Sequence, residues 1–316
     1  MIELLIQNGS NLYEPIIEGS IQWITERKGQ PGKLTFTVLP DAALNFQEGN
    51  AVRFKSDDQK VFYGFVFTKQ RSKDKKIKVT VYDQLRYMKN KASYQYTNKT
   101  ATEVTQALAS QFGLKVGILE DTGWKIPSRI EANTTLMDMQ LTALDLTTQN
   151  TGKLFVLYDD FGEIMLKDMQ SMKLDVLIDD ESSQDFSYSS SIDGETYNRI
   201  KLYNKNTGEV VIAEDQKNKG TWGMLQFFDY FDTNDDVNIN AKAKSLLDLY
   251  NRKTRSLTIQ KAFGDPRVRA GSLIPIQLAL GDVNILNYLI VEKVTHTFSK
   301  DEHFMDLSLK GGVINA

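Results

Sequence analysis

The chain has 316 residues with a net charge of −3 and no cysteine. This length suits two or three domains, and the slightly negative charge argues against a protein that binds nucleic acid over its whole surface. The missing cysteine excludes disulfides, cysteine-ligated zinc and a thiol nucleophile, and no apolar run approaches the ~18 residues of a membrane helix.

The N-terminal third predicts β structure. The stretches MIELLIQ, SIQWITER and KLTFTV alternate apolar and polar residues, and Asn8–Gly9–Ser10 is typical of a turn. The first residues lack the basic start and apolar run of a signal peptide, so we expect no secretion signal. We predict a first domain over residues 1–95.

The middle region, residues 96–190, changes to the period of a helix. Thr100 and Glu103 have the spacing of a capping box, and a second helix is predicted between Thr135 and Gly152. KLFVLYDDFGEIMLKD then predicts two strands around an Asp-Asp-Phe-Gly turn. We therefore expect an α+β domain here.

The last region, residues 191–316, follows a serine-rich crossing segment. A hairpin is predicted around residues 206–208, and a helix with Asn240 as its N-cap follows in NINAKAKSLLDLYNRK. The predicted apolar face of this inserted helix consists of Ala243, Leu246, Leu247 and Tyr250. More strands complete the domain.

Two distant stretches of the chain resemble each other. LTFTVLPDAALNFQEGNAVRF begins at Leu34, and LTIQKAFGDPRVRAGSLIPI begins at Leu257. From the Leu-Thr pair to the glycine is 15 residues in the first copy (34 to 49) and 14 in the second (257 to 271), and Asp41 and Asp265 lie between them.

The resemblance continues downstream in both copies. An aromatic-rich strand, a loop with Ser-Lys-Asp and a strictly alternating strand follow in the same order. The alternating apolar residues are Ile77, Val79 and Val81 in one copy and Met305, Leu307 and Leu309 in the other. We predict a duplicated four-stranded unit in which Gly49 matches Gly271 and Val79 and Val81 match Leu307 and Leu309.

The candidate chemical residues are few. His296 lies among apolar residues of a strand, which is typical of a core or interface histidine, and His303 lies in a loop. Two histidines without HExxH cannot supply a three-histidine zinc site. The acidic stretch FDYFDTNDDVNIN fails as a calcium loop from either Asp229 or Asp232, because the required glycine and glutamate are missing. We predict no catalytic, cofactor-binding or metal-binding residue.

Two alternatives stay open at this stage. The basic segment KQRSKDKKIK, residues 69–78, predicts a solvated hairpin tip, although a polyanion contact also fits it. A glycosidase needs only two carboxylates, and nothing among the 41 acidic residues selects a pair.

The order of elements resembles a family of phage proteins. The resemblance is carried by an ordered set of segments. These are FYGFV before KVTVYDQLRYM, then NKTATEVTQALASQFGL, TTLMDMQLTAL and GKLFVLYDDFGEIML, and near the end KGTWGMLQ, AKAKSLLDLYN, GDPRVRAGSLIPI and LIVEKVTHTF. The chain is similar to the baseplate hub proteins of contractile phage tails, the XkdQ/YqbQ group of Bacillus prophages, and through them to late control D proteins and the N-terminal part of VgrG.

The resemblance implies a mainly β, α+β fold with two duplicated β-barrel-like tube domains flanking the middle region. It further implies a homotrimer whose six tube domains form a pseudo-sixfold ring between a hexameric tail tube and a trimeric spike. Its partners would be other copies of the chain, the tail tube protein, the central spike protein and other baseplate proteins, with no membrane and no specific nucleic acid.

The resemblance also implies a structural role without enzymatic activity or cofactors. The chain would be made in the bacterial cytoplasm and become part of a virion or tail-like particle. The alternatives are a tail-tip peptidoglycan hydrolase, which requires a cleft with two carboxylates, and a receptor- or carbohydrate-binding module, which predicts exposed aromatic residues grouped on one surface.

Overall fold

A computed structural model of the chain describes residues 2–231, 239–279 and 284–310. Its contacts divide the chain into two compact units. The main unit joins Met1–Phe186 to Thr258–Leu309, and the small unit consists mostly of Ser187–Leu257. The protein is α+β and mainly β, as predicted, whereas the division into three domains at residues 95 and 190 stays a prediction.

Most strands belong to one sheet of 13 strands. Within it β13 pairs parallel with β19, whereas the pairs β1–β5, β3–β4, β3–β20 and β19–β20 are antiparallel. The strands follow the path β14-β18-β21-β20-β3-β4-β7-β6-β5-β1-β2, and β19 pairs with both β20 and β13. Their bounds are β1 (Ile2–Asn8), β2 (Asn11–Tyr13), β3 (Ile17–Glu26), β4 (Lys33–Val38), β5 (Ala51–Ser56), β6 (Gln59–Arg71), β7 (Ile77–Tyr82), β13 (Ile178–Asp179), β14 (Asp185–Ser191), β18 (Thr254–Phe263), β19 (Leu273–Ala279), β20 (Asn284–Phe298) and β21 (His303–Lys310).

Alternation of apolar residues explains these strands. In β4 the side chains of Leu34, Phe36 and Val38 point to one side and are buried, while the threonines between them are half-buried. The same alternation in β7 buries Val79 and Val81 against them, because Phe36 lies opposite Val79 and Leu34 opposite Val81. The N-terminal part of the sheet, together with Phe298 of β20, thereby encloses an apolar core.

The middle region carries two helices and two smaller sheets. Helix α1 (Ala101–Gln111) has the predicted capping box, and α2 (Leu136–Thr151) begins after Thr135 and ends at Gly152, whose φ is 72°. The strands are β8 (Lys91–Thr100), β9 (Val116–Leu119), β10 (Lys125–Thr135), β11 (Phe155–Asp160) and β12 (Glu163–Asp168). β8 pairs with β10, and β12 lies between β11 and β9. The predicted caps and the predicted β11–β12 hairpin are confirmed.

The small unit contains a three-stranded sheet with β15 in its centre. Its elements are β15 (Arg199–Asn204), β16 (Val210–Glu214), α3 (Gln216–Trp222), β17 (Gln226–Phe231) and α4 (Ile239–Tyr250). The predicted hairpin forms because Asn204 Oδ1 accepts the backbone N–H groups of Asn206 and Thr207 at 2.9 and 3.1 Å.

Helix α4 buries Ala243 completely, and Leu246, Leu247 and Tyr250 pack beside it, as predicted. The prediction of Asn240 as N-cap is wrong, because the helix already includes Ile239. Most of the acidic stretch before α4, residues 232–238, lies outside the described residues. No helix in the described part of the chain is long and apolar enough to cross a membrane.

Candidate functional site

The two similar sequence stretches fold into two four-stranded repeats with one strand order. The first repeat runs β4-β7-β6-β5, and the second runs β18-β21-β20-β19. In each repeat the fourth strand along the chain lies between the first and the third. The predicted duplication is confirmed at the level of strand order.

The matching glycines of the two repeats occupy equivalent turns. Gly49 has φ 86° and donates its N–H to Val66 O at 2.8 Å; Gly271 has φ 94° and donates to Val291 O at the same distance. The return hydrogen bond is also equivalent. The N–H of Val66 donates to Asn50 O, and the N–H of Val291 donates to Ser272 O, both at 2.9 Å. Each turn thus fixes the start of the second strand of its repeat against the third.

Side chains repeat the correspondence. Asn50 Oδ1 accepts the N–H of Gln47 at 2.8 Å, and Ser272 Oγ accepts the N–H of Arg269, three residues earlier, at 3.2 Å. In the hairpin between the last two strands, Ser72 N donates to Lys76 O at 3.1 Å and Ser299 N donates to Glu302 O at 2.8 Å. The hydroxyls of these two serines donate to the same carbonyls.

Strand β3 places the two repeats side by side. It pairs with β20 of the second repeat on one side and with β4 of the first on the other, both antiparallel. Just beyond its end, Arg27 forms two hydrogen bonds with Glu292, Nε to Oε2 at 3.0 Å and Nη2 to Oε1 at 2.8 Å. This two-bond geometry is the strong form of an arginine–carboxylate pair, so it stabilises the join between the repeats.

The two histidines meet at this join. His296 is fully buried, with Nε2 2.8 Å from Val268 O and Nδ1 2.8 Å from Nε2 of His303. Because a carbonyl only accepts, His296 Nε2 donates to Val268 and its Nδ1 accepts from His303 in the neutral pair. Burial lowers the pKa of His296 to about 3 and that of His303 to about 4. The prediction of a core histidine is confirmed for His296.

A pair of buried carboxylates, which the sequence did not reveal, lines a cavity of about 20 Å³ in the main unit. Asp83 accepts the N–H of Gly32 at 2.8 Å and that of Leu85 at 3.0 Å, and Asp159 accepts the N–H of Gly162 at 2.8 Å. In the sequence, Asp83 is recognisable only as an aspartate before a short helical turn, and Asp159 only as an aspartate within an apolar strand.

Burial raises the pKa of both carboxyl groups. Burial is the largest cause of the raised pKa of Asp83, and the negative charge of Asp159 is the second. Burial raises the pKa of Asp159 to about 6. Raised carboxyl pKa values also occur in glycosidase acids. Here, however, the cavity holds about one water molecule, whereas ligand pockets measure ~300 Å³ or more. The pair joins chain segments and has no room for a sugar.

The cavity lies where three parts of the chain converge. Arg269, from the turn of the second repeat, donates to Asp159 O in the middle region at 3.0 Å, and its guanidinium lies 4.4 Å from the ring centroid of Tyr158. Gln84, next to Asp83, donates to Gly162 O at 2.7 Å. The arrangement holds both repeats to the middle region.

The basic segment 69–78 forms the predicted hairpin tip between β6 and β7. Lys76 Nζ lies 2.6 Å from a carboxylate oxygen of Glu18 and 3.2 Å from one of Asp74. Lys69 donates to the carbonyl of Phe46. Part of the positive charge is thus used within the chain, and the polyanion contact stays a prediction.

Comparison with known protein families shows the family to which the chain belongs. A family model described as YQBQ-like matches residues 21–310. The chain belongs to this family. Two proteins of Bacillus subtilis (strain 168) are each 26% identical and aligned over 98% of this chain: YqbQ, of which 96% is covered, and the phage-like element PBSX protein XkdQ, of which 97% is covered.

Solved structures agree in fold. The 43 kDa tail protein of prophage MuSo2 from Shewanella oneidensis matches 97% of this chain and 98% of its own with a TM-score of 0.71 and 14% identity. The E. coli c3393 protein, described as a component of the type VI secretion system, matches 98% of this chain and 77% of its own with a TM-score of 0.56 and 10% identity. This member of the YQBQ-like family therefore shares the fold of phage tail proteins.

Proposed function

We propose that the chain is the structural hub of a contractile tail baseplate. Three copies form a ring of six similar β repeats, which joins a sixfold tail tube to a threefold spike. The protein carries out no reaction of its own, uses no cofactor, and becomes part of a phage or tail-like particle after synthesis in the cytoplasm.

The observation that carries this proposal is the pair of like repeats in one sheet. They share a strand order and equivalent glycine turns, and β3 fixes them side by side. A chain with two like repeats offers six equivalent positions when three copies assemble, and a head-to-tail interface that closes gives a ring.

The ends of the sheet supply surfaces for such an interface. β2 lies at one end of the strand path of the described residues, and its neighbour on the inner side is β1. Exposed strand edges favour pairing with another chain unless they are covered. Neighbouring copies would cover them in the ring.

The test is the mass of the purified protein in solution. We expect a trimer, three times the chain mass of 35.9 kDa, which binds separately purified tail tube and central spike proteins. A monomer at every concentration, together with no affinity for either protein, contradicts the proposal.

A further inference from the structure

The small unit exposes one whole face of its sheet, here called the outer face. In register across β16, β15 and β17 lie three rows on this face, Val210–Tyr203–Tyr230, Ile212–Lys201–Phe228 and Glu214–Arg199–Gln226. The carboxylate of Glu214 in the third row is already paired with Arg199 and Lys219. The four apolar residues of the outer strands are between 44% and 48% exposed: Val210, Ile212, Phe228 and Tyr230.

This face breaks the usual pattern of a small sheet. The opposite face already forms the core of the small unit, where Ile200 and Leu202 are fully buried beside α4. A sheet with one buried face normally presents polar residues on the other. Contiguous exposed apolar residues with polar neighbours mark interaction surfaces, so a partner protein surface is expected to cover this one.

The charge of the outer face restricts its occupant. Lys201 lies between Ile212 and Phe228, and Lys205 Nζ lies 3.9 Å from the ring centroid of Tyr230. Within residues 2–231, 239–279 and 284–310, neither lysine forms an ion pair. A face-to-face pair of two outer faces would bring these positive charges together. The occupant therefore differs from the face itself and carries a carboxylate.

A carbohydrate fits the outer face poorly. The rings of Phe228 and Tyr230 stand at 83° to each other, with centroids 5.2 Å apart, and Tyr203 stands at 78° to Tyr230. Edge-to-face rings offer no flat platform for a sugar, and Lys205 already covers one ring. Although aromatic residues are grouped here, as the alternative of a carbohydrate-binding module predicts, their geometry favours a protein.

The main unit of the same chain carries an acidic and apolar segment of the required kind. At the end of the large sheet, Leu12 is 56% and Ile16 is 61% exposed, and the exposed Glu14 lies midway between them. In the part of the chain that the structure describes, Glu14 has no ion pair. The strand β2, to which Leu12 belongs, is an end of the sheet.

We propose that the outer face of the small unit binds the Leu12–Glu14–Ile16 segment of a second copy of this chain, with Glu14 facing Lys201. The inference rests on the proposed trimer and names the surfaces that close it. Because the two surfaces are different, each copy uses one surface toward each neighbour, as a cyclic ring requires. The aliphatic side chains of the segment contact Ile212 and Phe228.

A charge-swap experiment tests this contact. Lys201→Glu and Glu14→Lys each place like charges in the interface, so each weakens trimer association by ~10-fold or more. The double variant K201E/E14K restores opposite charges and regains the wild-type dissociation constant. Lys244→Glu, on the exposed side of α4, and Glu48→Lys, in an exposed loop of the main unit, are matched controls and leave the trimer unchanged. Analytical ultracentrifugation measures association, and circular dichroism checks that each variant is folded.

Each possible result bears on a different part of the proposal. A wild-type trimer that both single variants leave intact overturns this contact, while the proposed hub stands. Single variants that dissociate without rescue in the double variant overturn the assignment of the Leu12–Ile16 segment. A wild-type monomer at every concentration overturns both the contact and the trimer.

Discussion

Trp23 and His296 lie directly opposite each other on β3 and β20, and their rings stack with centroids 4.9 Å apart and planes 21° apart. Both side chains are buried. The stack lies where the second repeat joins the strand that leads to the first repeat. The stability of this join therefore depends on a histidine that stays neutral.

The first prediction concerns acid. Both histidines have a folded-state pKa below the ordinary value of ~6.5, because burial disfavours the charged ring. Below that pH the unfolded chain binds more protons than the folded one, so the histidine contribution to stability is lost as pH falls. The slope is at most about 1.4 kcal/mol per pH unit for each histidine.

Chemical denaturation between pH 7 and pH 5 measures this effect. His303→Gln keeps a side-chain N–H for His296 but removes one titrating group, so the free energy of unfolding of this variant falls less steeply with acid than that of the wild type. Equal slopes for the two proteins would show that the buried pair does not govern the pH dependence.

The second prediction concerns Asp159, whose contribution to stability falls as pH rises, opposite to that of the histidines. The pKa of Asp159 is raised to about 6 by burial, so the carboxylate costs stability where it is ionised, above that pH. Asp159→Asn keeps an oxygen for the N–H of Gly162. We expect its free energy of unfolding, relative to wild type, to be higher at pH 7 than at pH 4.5. Asp301→Asn, an exposed aspartate in the hairpin between β20 and β21, is the control; a pH-independent difference for D159N would refute the prediction.

The third prediction compares the two equivalent glycines. A Cβ at Gly271 would lie 2.5 Å from Val156 Cγ1, whereas a Cβ at Gly49 would have no neighbour within 4 Å. Both substitutions to alanine cost roughly 1–2 kcal/mol because φ is positive. G271A costs about 1–3 kcal/mol more because of the overlap. Thermal unfolding measures both variants.

Val156→Ala provides the check on that explanation. It removes Cγ1 and Cγ2, the two atoms nearest to the new Cβ, so G271A combined with V156A loses less than the sum of the two single losses. Strict additivity, or equal destabilisation by G49A and G271A, would show that the overlap with Val156 does not set the cost of G271A.

Local features of the fold were predictable from sequence, and contacts between distant segments were not. The caps of α1 and α2 depend on residues within one turn, so Thr100 and Thr135 suffice to locate them. The duplication was detectable because both copies keep their glycine turn. By contrast, nothing in SIQWITER indicates that β3 lies between the two repeats, since that pairing spans most of the chain.

The polar junction was hidden for a related reason. Asp83 and Asp159 are two of 41 acidic residues, and their burial arises from three segments that meet in space. The small-unit sheet shows the limit of alternation as a guide. β16 and β17 carry apolar residues on both faces, and only the position of α4 tells which face is the core.

The fourth prediction is that the purified protein releases no dye from labelled peptidoglycan. The carboxylates that most resemble an acid pair, Asp83 and Asp159, bind backbone N–H groups around a cavity of about 20 Å³. Dye release by the wild type that Asp83→Asn or Asp159→Asn abolishes would show an enzyme instead. A folded Glu48→Lys variant serves as the control for contaminating activity.

Electron microscopy of the purified protein tests the central claim most directly. If the two repeats are equivalent positions of a ring, class averages viewed down the axis show a threefold particle with six similar densities around a channel. Single particles of one chain, or a closed assembly in which the repeats of neighbouring copies do not share one ring, would contradict the account.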